Sequence, residues 1–165
     1  MGKIAIIYGS STGATEAVAK KIQEQFDGAD LFNTDSVTTD ELKPYDFYIL
    51  GASTTGVGDL QDDWDMFLPK FEKMDFSGKK AAIFGLGDSA SFSTSFAGAM
   101  YVLYKALKSK VDIIGSVSAD GYTFDESDSV VDGRFVGLAL DEDNEYDETA
   151  PRIEAWVKEL KKQLA

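Results

Sequence analysis

Neither cysteine nor histidine occurs in the chain. Without thiols there can be no disulfide, thiolate nucleophile, iron–sulfur cluster or cysteine-bound zinc. Without imidazole there is no serine–histidine triad and no histidine metal site. Cations are scarce as well: 16 Lys and Arg stand against 29 Asp and Glu, and the net charge of −13 repels nucleic-acid phosphates and anionic lipid heads. A nucleic-acid or membrane partner is therefore not expected. No apolar run approaches the ~20 residues of a membrane span. The N-terminus has no basic head, apolar middle and small-residue cleavage site of the secretory kind, so a cytoplasmic location is expected. Any redox or acid–base chemistry must rest on carboxylates, backbone groups or a borrowed cofactor.

What is present suits a single domain spanning 1–165, with 44% hydrophobic residues to fill a core and no repeat, linker or low-complexity segment. Residues 3–8 (KIAIIY), 47–52 (FYILGA) and 81–86 (AAIFGL) are short apolar runs ending at glycine or hydroxyl residues, the pattern of strands buried on both faces. Helical stripes lie between them: Ala14, Val18, Ile22 and Phe26, then Trp64, Phe67, Leu68 and Phe71. Later stripes are Phe96, Met100, Leu103 and Leu107, then Ile153, Trp156, Val157, Leu160 and Leu164, the last expected to open near Thr149 and Pro151. Trp64 and Phe96 are read as core residues on these stripes. Pro69 should kink or shorten its helix. Weaker strands are expected at 30–33 and around 112–117, and residues 134–140 (RFVGLAL) read as strand again after a patternless stretch at 118–133. This alternation predicts an α/β fold: a parallel sheet of five strands covered by helices on both sides, its fifth strand split by a long loop.

The first strand runs into residues 9–15 (GSSTGAT), which crowd glycines and hydroxyls into the turn opening the first helix. Backbone N–H groups and the positive end of the helix dipole point outward there, so an anion site is the natural use. No Lys or Arg lies between Lys3 and Lys20, and the Gly-Lys-Ser/Thr ending of a nucleoside-triphosphatase loop is missing. Hydroxyls and dipoles without cations suit one terminal phosphate group. The same residues would also serve a plain helix cap.

In doubly wound sheets ligands sit beyond the carboxyl ends of the strands where the strand order reverses, a rule drawn from known folds and not from this chain. The loops after the third strand, 53–59 (STTGVGD), and after the fourth, 85–92 (GLGDSASF), would then face the phosphate loop. Each could be a surface turn; three such loops at consecutive strand ends suggest one ligand. Gly85, Gly87 and Ala90 also match a loose dinucleotide fingerprint, but that motif should follow the first strand and open directly into a helix. Residues 120–148 carry eleven carboxylates against the single cation Arg134, either a solvated acidic face or a docking surface for a basic partner.

These motifs together resemble the flavodoxins, specifically the long-chain kind, over essentially the whole length, and the resemblance implies a doubly wound three-layer sandwich with its five strands in the order 2-1-3-4-5. The family's phosphate motif Thr/Ser-x-Thr/Ser-Gly-x-Thr is met by Ser10, Thr12, Gly13 and Thr15; its Gly-Asp/Glu-Leu-Gln-x-Asp-Trp by Gly58-Asp59-Leu60-Gln61-Asp62-Asp63-Trp64. Its Gly-x-Gly-Asp is Gly85-Leu86-Gly87-Asp88, its Leu-Asp-Glu-Asp-Asn is 140–144, and 118–133 resembles the insertion of the long-chain group. The resemblance implies one non-covalent flavin mononucleotide (FMN), its phosphate held by Ser10, Ser11, Thr12, Gly13, Ala14 and Thr15. The isoalloxazine ring would lie among Ser53, Thr54, Thr55, Gly56 and Val57 on one side and Leu86, Gly87, Asp88 and Phe92 on the other. Where the family commonly stacks Trp and Tyr on the ring, this chain has Thr55 and Phe92, which implies a more exposed flavin face and weaker binding.

The implied activity is low-potential, single-electron transfer between redox enzymes, with no catalytic residue, no metal and no substrate turnover of the chain's own. Gly56 would let its peptide turn and accept a hydrogen bond from flavin N5, which the family associates with a stabilised semiquinone. Asp59, Asp62, Asp63, Asp65, Asp88 and Asp143 would disfavour full reduction by charge repulsion. Expected partners are basic-surfaced redox proteins, such as a flavodoxin/ferredoxin reductase and acceptor oxidoreductases, meeting a monomer. An FMN-dependent quinone or NAD(P)H oxidoreductase on the same fold is the main alternative. A phosphorelay receiver would need an acidic pair where Gly9, Ser10 and Ser11 stand.

Overall fold

The computed structural model describes residues 3–9, 13–55 and 58–164, with Thr55 by its backbone alone. The chain runs β1 (Ile4–Gly9), α1 (Ala14–Gln25), β2 (Asp30–Asn33), α2 (Thr39–Leu42), β3 (Phe47–Thr55), β4 (Asp59–Leu60), α3 (Asp62–Phe71) and β5 (Lys80–Leu86). It continues through α4 (Ala99–Leu107), β6 (Asp112–Ile114), β7 (Val117–Ser118), β8 (Val130–Val131), β9 (Arg134–Phe135), β10 (Leu138–Leu140) and α5 (Glu142–Leu164). Among the described residues no helix is long and apolar enough to cross a membrane.

The period of two along each strand distributes side chains between two cores. On β1, Ala5 and Ile7 enter the core shared with α3 and α4, where Trp64, Phe71, Met100 and Leu103 are buried. Ile4, Ile6 and Tyr8 enter the other core, with Val18 and Ile22 of α1 and Trp156 and Leu160 of α5. Both faces of the sheet are thus covered, which explains why the central strands read as continuous apolar runs. Trp64 and Phe96, read as core residues, are 0% and 1% exposed.

The sheet is parallel in the order β2-β1-β3-β5, and the position beyond β5 is shared by two strands. β6 pairs with Lys80–Ala82 through Asp112, Ile113 and Ile114, while β10 pairs with Phe84–Leu86 through Leu138, Ala139 and Leu140. That is the split fifth strand expected from the sequence. Its boundaries differ in detail. The first half ends where Gly115 takes φ +84. Residues 134–140 do not form one strand: β9 turns away into a small antiparallel sheet, β7-β9-β8, and only β10 rejoins β5. β4, which the alternating pattern did not announce, folds back antiparallel on β3.

Two helices begin elsewhere than their stripes suggested. Phe96 precedes α4, because Ala97 at φ +51 leaves the helical region. α5 opens at Glu142, seven or more residues before the expected Thr149–Pro151 start, and bends at Glu145 (φ −131, ψ 43). Three carboxylates in its first turn, Glu142, Asp143 and Glu145, complement the helix dipole there and make the early start favourable. α3 contains Pro69, whose missing N–H removes the bond back to the Asp65 carbonyl, and ends two residues later at Phe71.

Candidate ligand cleft

At the carboxyl edge of the sheet the head of α1 meets the ends of β3 and β5. Gly13 occupies the N-cap of α1 at φ +89, a conformation glycine adopts at low cost, and it supplies no side-chain cap. The first-turn carboxylate, Glu16, is turned to Lys20 (3.1 Å) and to the Tyr8 hydroxyl (3.0 Å). Lys20, and secondly Tyr8, hold that carboxyl below its ordinary value. Thr15 is buried behind the helix head. Ser10, Ser11 and Thr12 lie outside the described residues, as do Gly56 and Val57 and the side chain of Thr55.

An open cleft of about 500 Å³ forms here, within the ~300–1,000 Å³ of ordinary small-molecule sites. It brings together Ala14 of α1, Ser53 and Thr54 at the end of β3, and Leu86, Gly87, Asp88 and Phe92 after β5. Of the three loops expected to converge, these described residues share the cleft. The Thr54 hydroxyl is engaged by the fold, accepting the Ala99 amide at 3.2 Å where Gly98 gives α4 no side-chain cap. Phe92 is 43% exposed, an aromatic ring left uncovered at the rim. Gly87 permits close approach of its loop to the next segment, since a Cβ there would stand 2.7 Å from the Ala97 nitrogen.

Four further residues line the cleft that the sequence reading did not assign to a ligand: Ser95, Phe96, Ala97 and Glu142. Glu142 arrives from the head of α5 beside Asp143, and was visible beforehand only as part of the Leu-Asp-Glu-Asp-Asn run. Ser95 is the more telling, because its Oγ is buried without a hydrogen-bond partner among the described residues. Such a group costs about 1–3 kcal/mol unless something in the cleft satisfies it.

Of the six carboxylates singled out for their charge, Asp88 and Asp143 line the cleft, whereas Asp62, Asp63 and Asp65 occupy the first turn of α3 and Asp59 sits in β4. Asp88 accepts hydrogen bonds from the Asn144 side-chain amide (2.8 Å) and the backbone N–H groups of Ser91 (3.1 Å) and Ala90 (3.2 Å). The Asn144 bond first, and the loop amides after it, hold the Asp88 carboxyl below the usual carboxylate range.

The long insertion supports the cleft from behind. The Asp125 and Glu126 amides both donate to the Ser93 carbonyl at 2.8 Å, and Ser129 donates its hydroxyl to the Ala97 carbonyl at 2.7 Å. Phe124 stacks on Phe96 with ring centroids 5.6 Å apart.

The chain that forms this cleft also matches a known family. The family model described as flavodoxin covers residues 6–156. The chain belongs to the flavodoxin family. Flavodoxin from Synechococcus elongatus is 40% identical, covering 99% of both chains, and flavodoxin from Helicobacter pylori is 38% identical over 100% of both. A flavodoxin from Fusobacterium nucleatum, solved bound to flavin mononucleotide, superposes with a TM-score of 0.93 at 34% identity over 99% of each chain. Flavodoxins are among the proteins from which the strand-end ligand rule was drawn, so the cleft's position restates that rule and does not test it independently.

Proposed function

We infer that this flavodoxin-family chain carries one FMN without a covalent link and passes single electrons between cytoplasmic redox enzymes, with no substrate turnover of its own. The observation that carries this reading is the cleft itself, lined both by a buried Ser95 hydroxyl without a partner among the described residues and by the uncovered Phe92 ring. A flat, mostly apolar ring system with a polar edge satisfies both groups. The donor set fits the rest of FMN as well: the head of α1, capped by a glycine and preceded by Ser10, Ser11 and Thr12, suits a phosphate with no cation at hand. Ser10–Thr15 would hold the phosphate; Ser53, Thr54, Thr55, Gly56, Val57, Leu86, Gly87, Asp88 and Phe92 would surround the ring, with Ser95 added to them.

When bound, the flavin supplies the one-electron chemistry and exchanges a proton at N5. The protein's share is positioning and charge. The Gly56 peptide carbonyl would accept a hydrogen bond from the N5–H, because a residue without Cβ turns its peptide at little cost. Asp88, Glu142 and Asp143, which line the cleft, would oppose negative charge placed in it. At ~10 Å each carboxylate contributes roughly 0.4 kcal/mol in water and about 1.7 kcal/mol at an effective dielectric of 20. The same acidic rim would steer basic-surfaced partners, such as a flavodoxin/ferredoxin reductase or acceptor oxidoreductases, toward a monomer.

The test is uptake: apoprotein titrated with FMN should quench flavin fluorescence at one equivalent, and replacing Thr12 and Thr15 by valine should abolish most of that uptake. Failure of the apoprotein to take up FMN supplied in excess would overturn the reading. Unaided oxidation of NAD(P)H by the loaded protein would support an enzyme in its place.

A further inference from the structure

The Asn144 side chain has one NH2 group, and its two hydrogens are both used: Nδ2 lies 2.8 Å from Asp88 Oδ1 and 2.8 Å from Asp141 Oδ1. These two carboxylates belong to different segments. Asp141 is 1% exposed, immediately ahead of α5, and it also receives the Ser89 hydroxyl and, at 3.4 Å, the Ser89 amide. Asp88 stands in the loop after β5 and takes the Ala90 and Ser91 amides. Its carbonyl in turn accepts the Phe92 N–H at 2.9 Å, so the ring-bearing turn is built on Asp88. Neither 86–98 nor 135–148 contains a Lys or Arg, and Glu142, Asp143 and Glu145 flank Asn144. A neutral amide is therefore what reconciles two like charges at the rim of the cleft.

We propose that Asn144 is a positioning residue: its amide fastens the loop after β5 to the head of α5 and so sets where Asp88 and Phe92 stand in the cleft. This deepens the FMN reading and rests on it for its effect on binding, though the fastening itself does not. An ordinary role is open to an asparagine in the first turn of a helix, namely capping that helix. The two roles differ in consequence. A cap alters the stability of α5; a fastener alters the order of residues 88–92 and the affinity of the cleft. Asn144 is itself exposed, and the buried Asp141 carboxylate keeps the Ser89 hydroxyl and amide when Asn144 is lost, so the fold should survive.

Two variants separate the possibilities. Asn144→Leu removes both donated bonds; Asn144→Asp keeps the shape and adds a third carboxylate beside Asp88 and Asp141, and it serves alone should the leucine variant misfold. In apoprotein, hydrogen exchange at the Ala90 and Ser91 amides should quicken about tenfold in either variant, since loss of a hydrogen bond to a charged group releases the loop. FMN affinity, read by fluorescence quenching, should fall roughly three- to tenfold for Asn144→Leu and further for Asn144→Asp. Raising salt should restore much of the aspartate variant's loss and leave the leucine variant's unchanged, because only the former is charge repulsion. Unchanged exchange at Ser91 overturns the proposal, and so does a lowered melting temperature with wild-type FMN affinity. If wild-type protein takes up no FMN, the functional reading fails while the exchange measurement still decides the fastening.

Discussion

Gly137 lies where the chain passes from β9 to β10, and a Cβ there would stand 1.9 Å from the Ile83 carbonyl oxygen and 2.7 Å from its carbon. Backbone cannot yield as a flexible side chain can. Gly137→Ala should therefore separate β10 from β5 and destabilise the protein by about 2 kcal/mol or more, measured by urea unfolding. Gly51 and Gly85 are crowded differently, by the Phe84 ring at 1.9 Å and by Met100 Cγ at 2.3 Å. At the cleft, Phe92→Ala removes a ring that is 43% exposed and packs little of the core. Thermal stability of the apoprotein should hardly change, while FMN affinity should fall several-fold, the worth of about 1 kcal/mol of aromatic stacking. The sequence identified Phe92 as the ring at the loop's far end. It could not identify Ser95, because a serine in a run of serines differs from its neighbours only in what surrounds its Oγ.

Among the elements, the insertion at 118–133 is where periodicity fails and tertiary contacts decide. Tyr122 donates its hydroxyl to the Ala139 carbonyl of β10 at 2.7 Å, and its ring lies under the Arg152 guanidinium, 3.9 Å from the centroid. Arg152 also bonds Glu145 at the bend of α5, at 3.2 Å. Insertion, split strand and bent helix thus meet at one side chain. Burial, the largest cause, pushes the Tyr122 phenol up to about 12, against an Arg152 charge that lowers it. The folded state holds that proton more tightly than the unfolded chain, whose phenols titrate near ~10. Its contribution is present below pH ~10 and lost as the pH rises toward 12, on the order of 2 kcal/mol. Wild-type protein should lose more stability between pH 9 and 11.5 than Tyr122→Phe, compared by denaturant unfolding at each pH. Elements with strong local patterns were legible: β1, β3, β5 and the stripes of α1 and α3 lie where their apolar periods put them. The start of α5 was not, because Asp141 and the three acidic residues of its first turn act through the helix dipole and a partner loop, neither of which a hydrophobic stripe records.

Over the whole molecule the dominant quantity is charge. A net −13 on 165 residues repels itself, so the apoprotein's melting temperature should rise as sodium chloride goes from ~10 to ~200 mM. A melting temperature indifferent to salt would mean that the carboxylates are already offset locally, as Asp40 is by Lys43 at 2.7 Å. Association with a basic partner should slow over the same range. The sequence by itself determined the fold class and the glycine-rich strand ends, since buried parallel strands and such turns are local in the chain and need no neighbour to be recognised, while the order of the sheet and the ligand edge followed from likeness to known doubly wound folds. Only the tertiary structure decided which residues wall the cleft and how the fifth strand is shared. Those depend on contacts between segments about fifty residues apart, such as Asn144 with Asp88, and side-chain geometry across such distances leaves no period in the chain.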